Sequence, residues 1–110
     1  MKLINLLFES KDKTETFESF ADTREAGAEK IVNNAKKKGG LALLTWHHFK
    51  VKLPYYKKAA AGKLDMDATK KEFDATYKKI STSMSQIEFQ REVGRLEVLG
   101  ELIIRDQKGK

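Results

Sequence analysis

Between Thr45 and Lys58 the chain reads TWHHFKVKLPYYKK, with lysines and aromatic rings interleaved. Lysine ammonium groups neutralise phosphates and exposed rings stack on unpaired bases, so this composition suits a nucleic acid. A second reading places Trp46, Phe49, Leu53 and one tyrosine in the core and leaves the lysines as a solvated face. The distribution of charge favours a polyanion. Residues 1–29 hold seven acids and four bases, residues 30–64 nine lysines and no acid, and residues 65–110 nine of each. An ordinary surface mixes both signs, so the formal net charge of +6 has its source in the middle third. The candidates for phosphate contact are Lys36, Lys37, Lys38, Lys50, Lys52, Lys57, Lys58 and Lys63.

A second set, Gln86, Gln90, Arg91 and Arg95, lies along one segment at helical spacing. Glutamine matches the edge of adenine and arginine that of guanine, each through paired hydrogen bonds. Glu88, Glu92 and Glu97 share the segment, and a helix built for protein contacts would carry the same mixture. Other chemistry finds little support. His47 and His48 are adjacent, so on a helix they point about 100° apart and cannot hold one metal together. No phosphate-cradling glycine loop, nucleophile elbow or paired acid and base is present, so no catalytic residue, cofactor or metal is expected. The expected function is non-enzymatic nucleic-acid binding, with DNA the expected partner, and a protein-interaction or virion-assembly role is the alternative.

The elements that would position these residues are mostly helices. Ser85 and Glu88 have the spacing of a capping box, and Phe89, Val93 and Leu96 form a stripe that Ile87 and Leu99 widen. Gly100 is a candidate helix stop, and Leu102–Ile104 then has the character of a short strand. Upstream, Asp65 or Asp67 caps a helix from Met66 to Ile80 whose buried face is Met66, Phe73, Tyr77 and Ile80. Leu64 is the expected pairing partner of Leu102–Ile104. Asp22 caps an accessory helix that ends at Gly39-Gly40, with Lys36–Lys38 in a last turn where cations suit the helix dipole. Leu41–Leu44 has no assignable period. Thr45 caps a helix carrying Trp46, Phe49 and Leu53, and Pro54 bends or breaks it before Tyr55–Ala61 resumes.

Helix, short turn, helix, glycine and apolar strand, from Leu64 to Ile104, resembles the winged helix-turn-helix pattern. The likeness rests on Phe73, Tyr77 and Ile80, then Phe89, Val93, Leu96 and Leu99, then Gly100–Ile104. It implies a recognition helix at 85–99 and a wing, although only Arg105–Lys110 remain to build that wing. The fold expectation is a mainly α, winged-helix-like domain with an N-terminal accessory helix and a minimal two-stranded β pairing. More loosely, the MKLINLLFES opening and lysine-rich middle resemble small proteins of marine T4-like bacteriophages.

The expected organisation is an amphipathic segment and connector over residues 1–21, then the helical domain over residues 22–110. Leu3, Ile4, Leu7 and Phe8 form an apolar stripe that would pack back on the domain or form a homodimer. The chain contains no cysteine and no apolar run long enough for a bilayer. A soluble protein of the cytoplasm, the host's if viral, is the expectation, with no membrane partner.

Overall fold

A computed structural model describes residues 16–80 and 84–108. They form five helices: α1 Phe17–Lys38, α2 Ala42–Lys50, α3 Leu53–Ala60, α4 Met66–Lys79 and α5 Gln86–Lys108. No strand occurs among the described residues. The mainly α expectation therefore holds, and the two-stranded pairing with its wing does not. The N-terminal stripe of Leu3, Ile4, Leu7 and Phe8 lies outside the described residues.

α1 begins five residues before the expected Asp22 cap. Thr16 is in extended conformation and its Oγ1 accepts the Ser19 N–H at 3.0 Å, satisfying one orphan donor of the first turn. The helix ends as the sequence implies, with Gly39 at φ +65°, a left-handed conformation favourable to glycine, and its N–H donating to Ala35 O. Tight i→i−3 bonds from Ala42, Leu43 and Leu44 then start α2 directly from the glycine turn. No side chain caps α2, so Thr45 lies inside the helix instead of at its start.

The break expected near Pro54 falls at Val51 and Lys52, and Pro54 occupies the first turn of α3, where its missing N–H costs no helical bond. α3 closes with Gly62 N–H donating to Ala59 O and Lys63 N–H to Lys58 O, the pair of bonds of a Schellman motif. Asp65 caps α4, its Oδ1 accepting from the Asp67 and Ala68 N–H groups. Ser85 Oγ accepts from the Glu88 N–H and donates to the Glu88 carboxylate, each at 3.2 Å, at the start of α5.

α5 runs through Gly100 and incorporates Leu102–Ile104 as helix, which removes the expected strand. Val98, Leu99 and Leu102 are fully buried at i, i+1 and i+4, so burying them together favours continued helix. Gly100 has a different use: a Cβ there would sit 3.2 Å from Cε2 of Phe73, so the absent side chain makes room for that ring. The buried face of α5 is turned roughly a third of a revolution from the stripe of Phe89, Val93 and Leu96. Those three are exposed or half-buried, and on α4 the buried positions are Thr69 and Thr76 while Tyr77 faces out.

α1 packs against α2 and α3, and α5 packs against α2 and α4. The α2–α5 crossing is tight. A Cβ on Gly94 would lie 2.9 Å from Val51 Cγ2 and closer still to the His48 carbonyl oxygen. The buried cluster draws Ala21 and Ala28 from α1, Tyr56 and Ala59 from α3, and Val98, Leu99 and Leu102 from α5.

Two glycine substitutions should therefore move stability in opposite directions. Gly94→Ala should destabilise by roughly 1–3 kcal/mol through overpacking, although a helical alanine is intrinsically better than glycine by up to about 1 kcal/mol. Gly27 in α1 has nothing within 4 Å of an added Cβ, so Gly27→Ala should keep that gain of about 1 kcal/mol or less. Urea midpoints of both variants check the pair, and a Gly94→Ala midpoint at or above the parent's would refute the crossing.

Candidate nucleic-acid interface

The lysines expected to meet phosphates divide into two groups. Lys36, Lys37 and Lys38 end α1, Lys50 ends α2, Lys57 and Lys58 lie on α3, and Lys63 follows it; all seven are exposed. Their positions follow from local rules. Cations at a helix C-terminus are favoured by the backbone dipole, and on α3 the inward positions are taken by Tyr56 and Ala59. Lys52 is different. Only 3% of it is exposed, because the break between α2 and α3 turns it inward. Its Nζ bonds Glu97 Oε1 and sits 4.5 Å from the centre of the Phe49 ring. A buried ammonium so engaged cannot reach a phosphate, and Lys52 leaves the candidate set.

Arg95 is committed in a similar way. Its Nη1 donates to both carboxylate oxygens of Glu92, at 2.6 and 2.7 Å, and Lys79 Nζ approaches the same carboxylate at 3.6 Å. Burial would lower the Arg95 pKa, but the bond and charge of Glu92 raise it. Gln86 and Arg91 are exposed on the first turns of α5 and Gln90 is half-buried there. They stand on a helix that packs with α2 and α4, whereas the seven exposed lysines belong to the unit of α1, α2 and α3 and its exit.

Sequence reasoning missed the acids of α5 that take up bases from the other helices. Glu97 takes the Lys52 ammonium and lies 3.6 Å from His48 Nε2. Burial alone would raise its carboxyl, yet the bonded Lys52 and the adjacent His48 hold it below the usual carboxylate range. One turn on, Glu101 accepts from the Tyr56 hydroxyl and lies 3.6 Å from Arg24 Nε. Burial pushes the Tyr56 phenol well above its ordinary value, and the Glu101 carboxylate pushes the same way. Tyr55 donates to Glu72 at 2.7 Å, and burial followed by that carboxylate takes it up to about 12. The available signal was the position of Glu97 and Glu101, each immediately before a residue of the apolar set Val98 and Leu102.

Among the aromatics, Tyr56 is core, while Trp46, Phe49 and Tyr55 are half-buried. Lys50 Nζ lies 5.7 Å from the Trp46 ring centre, within reach of a weak cation–π contact. His47 packs edge-on to Trp46 and His48 to Phe49, so the two imidazoles belong to different ring pairs. No three His, Asp or Glu side chains among the described residues form a metal-binding group. No helix among them is long and apolar enough to cross a membrane. No family model, curated protein or solved structure matches this chain.

The phenols give a pH dependence with a definite sign. In the unfolded chain Tyr55 and Tyr56 ionise near their ordinary 10.0, whereas in the fold they hold their protons to about 12 for Tyr55 and beyond for Tyr56. The folded state therefore binds more protons in this window, and stability must fall as pH rises through it. Denaturant melts across alkaline pH should show that decline in the parent and a shallower one in Tyr55→Phe/Tyr56→Phe. An equal slope in both would remove the two phenols from the alkaline behaviour.

Proposed function

We propose that this chain is a non-enzymatic nucleic-acid-binding protein that holds duplex DNA mainly by its phosphates. The observation that carries this reading is the acid-free stretch from residue 30 to 64, whose lysines at 36, 37, 38, 50, 57, 58 and 63 are exposed. Among the described residues, the one lysine of the eight candidates that meets a carboxylate is the buried Lys52. Phosphate contacts position a protein on DNA without reading its sequence. Any reading of bases falls to Gln86, Gln90 and Arg91 at the start of α5, since Arg95 is tied to Glu92. A cytoplasmic setting belongs to the same proposal and accords with a chain free of cysteine.

Titration of duplex DNA at several salt concentrations tests it. Affinity should fall steeply with salt, and Lys57→Ala/Lys58→Ala should weaken every duplex alike and flatten the slope. Each phosphate that a removed lysine no longer neutralises should lower the slope of log K against log salt by about 0.9. Arg91→Ala should instead cost roughly 1–3 kcal/mol at a preferred base pair if α5 reads sequence. Arg95→Ala should lower thermal stability with little change in base preference. Binding by the double lysine variant with the parent's affinity and slope would defeat the proposal.

A further inference from the structure

An apolar groove of about 850 Å³ lies between the start of α1, α4 at Phe73 and Tyr77, and α5 from Val93 to Lys108. Phe20, Phe73, Tyr77, Val93, Leu96 and Ile104 supply its apolar lining, and Tyr77 and Ile104 are 66% and 56% exposed. Charged groups, including Arg24, Glu97, Glu101 and Lys108, stand around it. An apolar floor with a charged margin is the form of a site for an amphipathic segment, and left open it is an aggregation hazard.

We propose that residues 2–8 of the same chain occupy this groove, with Leu3, Ile4, Leu7 and Phe8 against the α5 wall from Val93 to Ile104. The route of the chain argues for it. α1 begins at Phe17, and Phe20, one turn further on, already lines the groove, so the preceding residues start at its edge. The eight residues from Glu9 to Thr16 can span up to about 28 Å when extended. From Val93 to Ile104 the wall is about 16 Å long, while apolar positions at i, i+1, i+4 and i+5 of a helix cover about 8 Å. Both reach and length suffice. The tether also decides between this segment and a second copy. A segment joined to its site through eight residues is held at an effective concentration on the order of millimolar, which a separate molecule must match in free solution to compete. The docking requires no nucleic acid, so it stands or falls apart from the lysine surface.

The full chain has no cysteine, so introduced pairs report without background. Leu7→Cys with Ile104→Cys, treated with a short bismaleimide at low protein concentration, should give an intrachain cross-link. Its yield should exceed that of Leu7→Cys with Lys37→Cys by about tenfold, because the control thiol sits at the distant end of α1 and the gain comes from local concentration. Equal yields in the two pairs would overturn the proposal. A cross-linked dimer in place of the intrachain product would do so too, by giving the groove to a second copy. As an independent reading, Leu7→Asp/Phe8→Asp should shift the amide resonances of Val93, Gly100 and Ile104 and leave those of His48 and Gly94 in place. Unmoved groove resonances would likewise refute it.

Discussion

The crossing of α2 and α5 is the constraint that the remaining structure depends on. Gly94 lets the two backbones meet at the His48 carbonyl, and one turn along α5 the Lys52–Glu97 pair joins the same two regions. Neither contact is independent of the other. Taking an ammonium out of water costs several kcal/mol, and that cost is offset only if its carboxylate is held in place. The close approach at Gly94 holds it. Because α2 also packs on α1, this crossing couples the α1–α3 unit to the α4–α5 pair, which otherwise touch less extensively.

Charge is divided by the same geometry. Glu92, Glu97 and Glu101 recur near one turn apart on α5 and meet Arg95 with Lys79, Lys52 with His48, and Arg24 with Tyr56 in succession. Acids from the C-terminal third thus neutralise a few bases where the helices meet. The exposed lysines of α1, α2 and α3 have no such acids in their own stretch of chain, where residues 30–64 contain none. Net charge in this molecule is a matter of which cations the fold internalises, and sequence position alone does not say which.

That distinction marks how far the sequence could be read. Local signals held where the controlling interaction is local: Gly39 ends α1, Gly62 ends α3, Asp65 caps α4, and Ser85 with Glu88 opens α5. Two local signals failed as well, since Asp22 and Thr45 lie inside α1 and α2 and cap neither, and others failed where a distant partner decides. Gly100 has the residue type of a stop, but its neighbour in space is the Phe73 ring and the helix continues. Lys52 has the composition of a surface residue, yet the break before Pro54 turns it toward Glu97. Of the candidate site, the exposed lysines were legible because charge without nearby acids is a property of sequence. The commitment of Arg95 to Glu92 was open to the same reading, since the two are three apart on one helix.

The misplaced buried face of α5 has a physical cause that bears on the open groove. This helix carries two apolar stripes, Val98, Leu99 and Leu102 on one side and Phe89, Val93, Leu96 and Ile104 on another. Periodicity identifies both as helical and cannot rank them, because each satisfies the same 3.6-residue repeat. Packing ranks them. Gly94 and the Lys52–Glu97 pair turn the first stripe toward α1, α2 and α3, and α4 covers only part of the second, through Phe73 at Gly100. A helix of 23 residues with apolar groups over so much of its circumference needs more cover than its neighbours among the described residues supply. The groove is the remainder that the described helices leave uncovered, and its position beside the start of α1 is set by the same crossing that fixes the core.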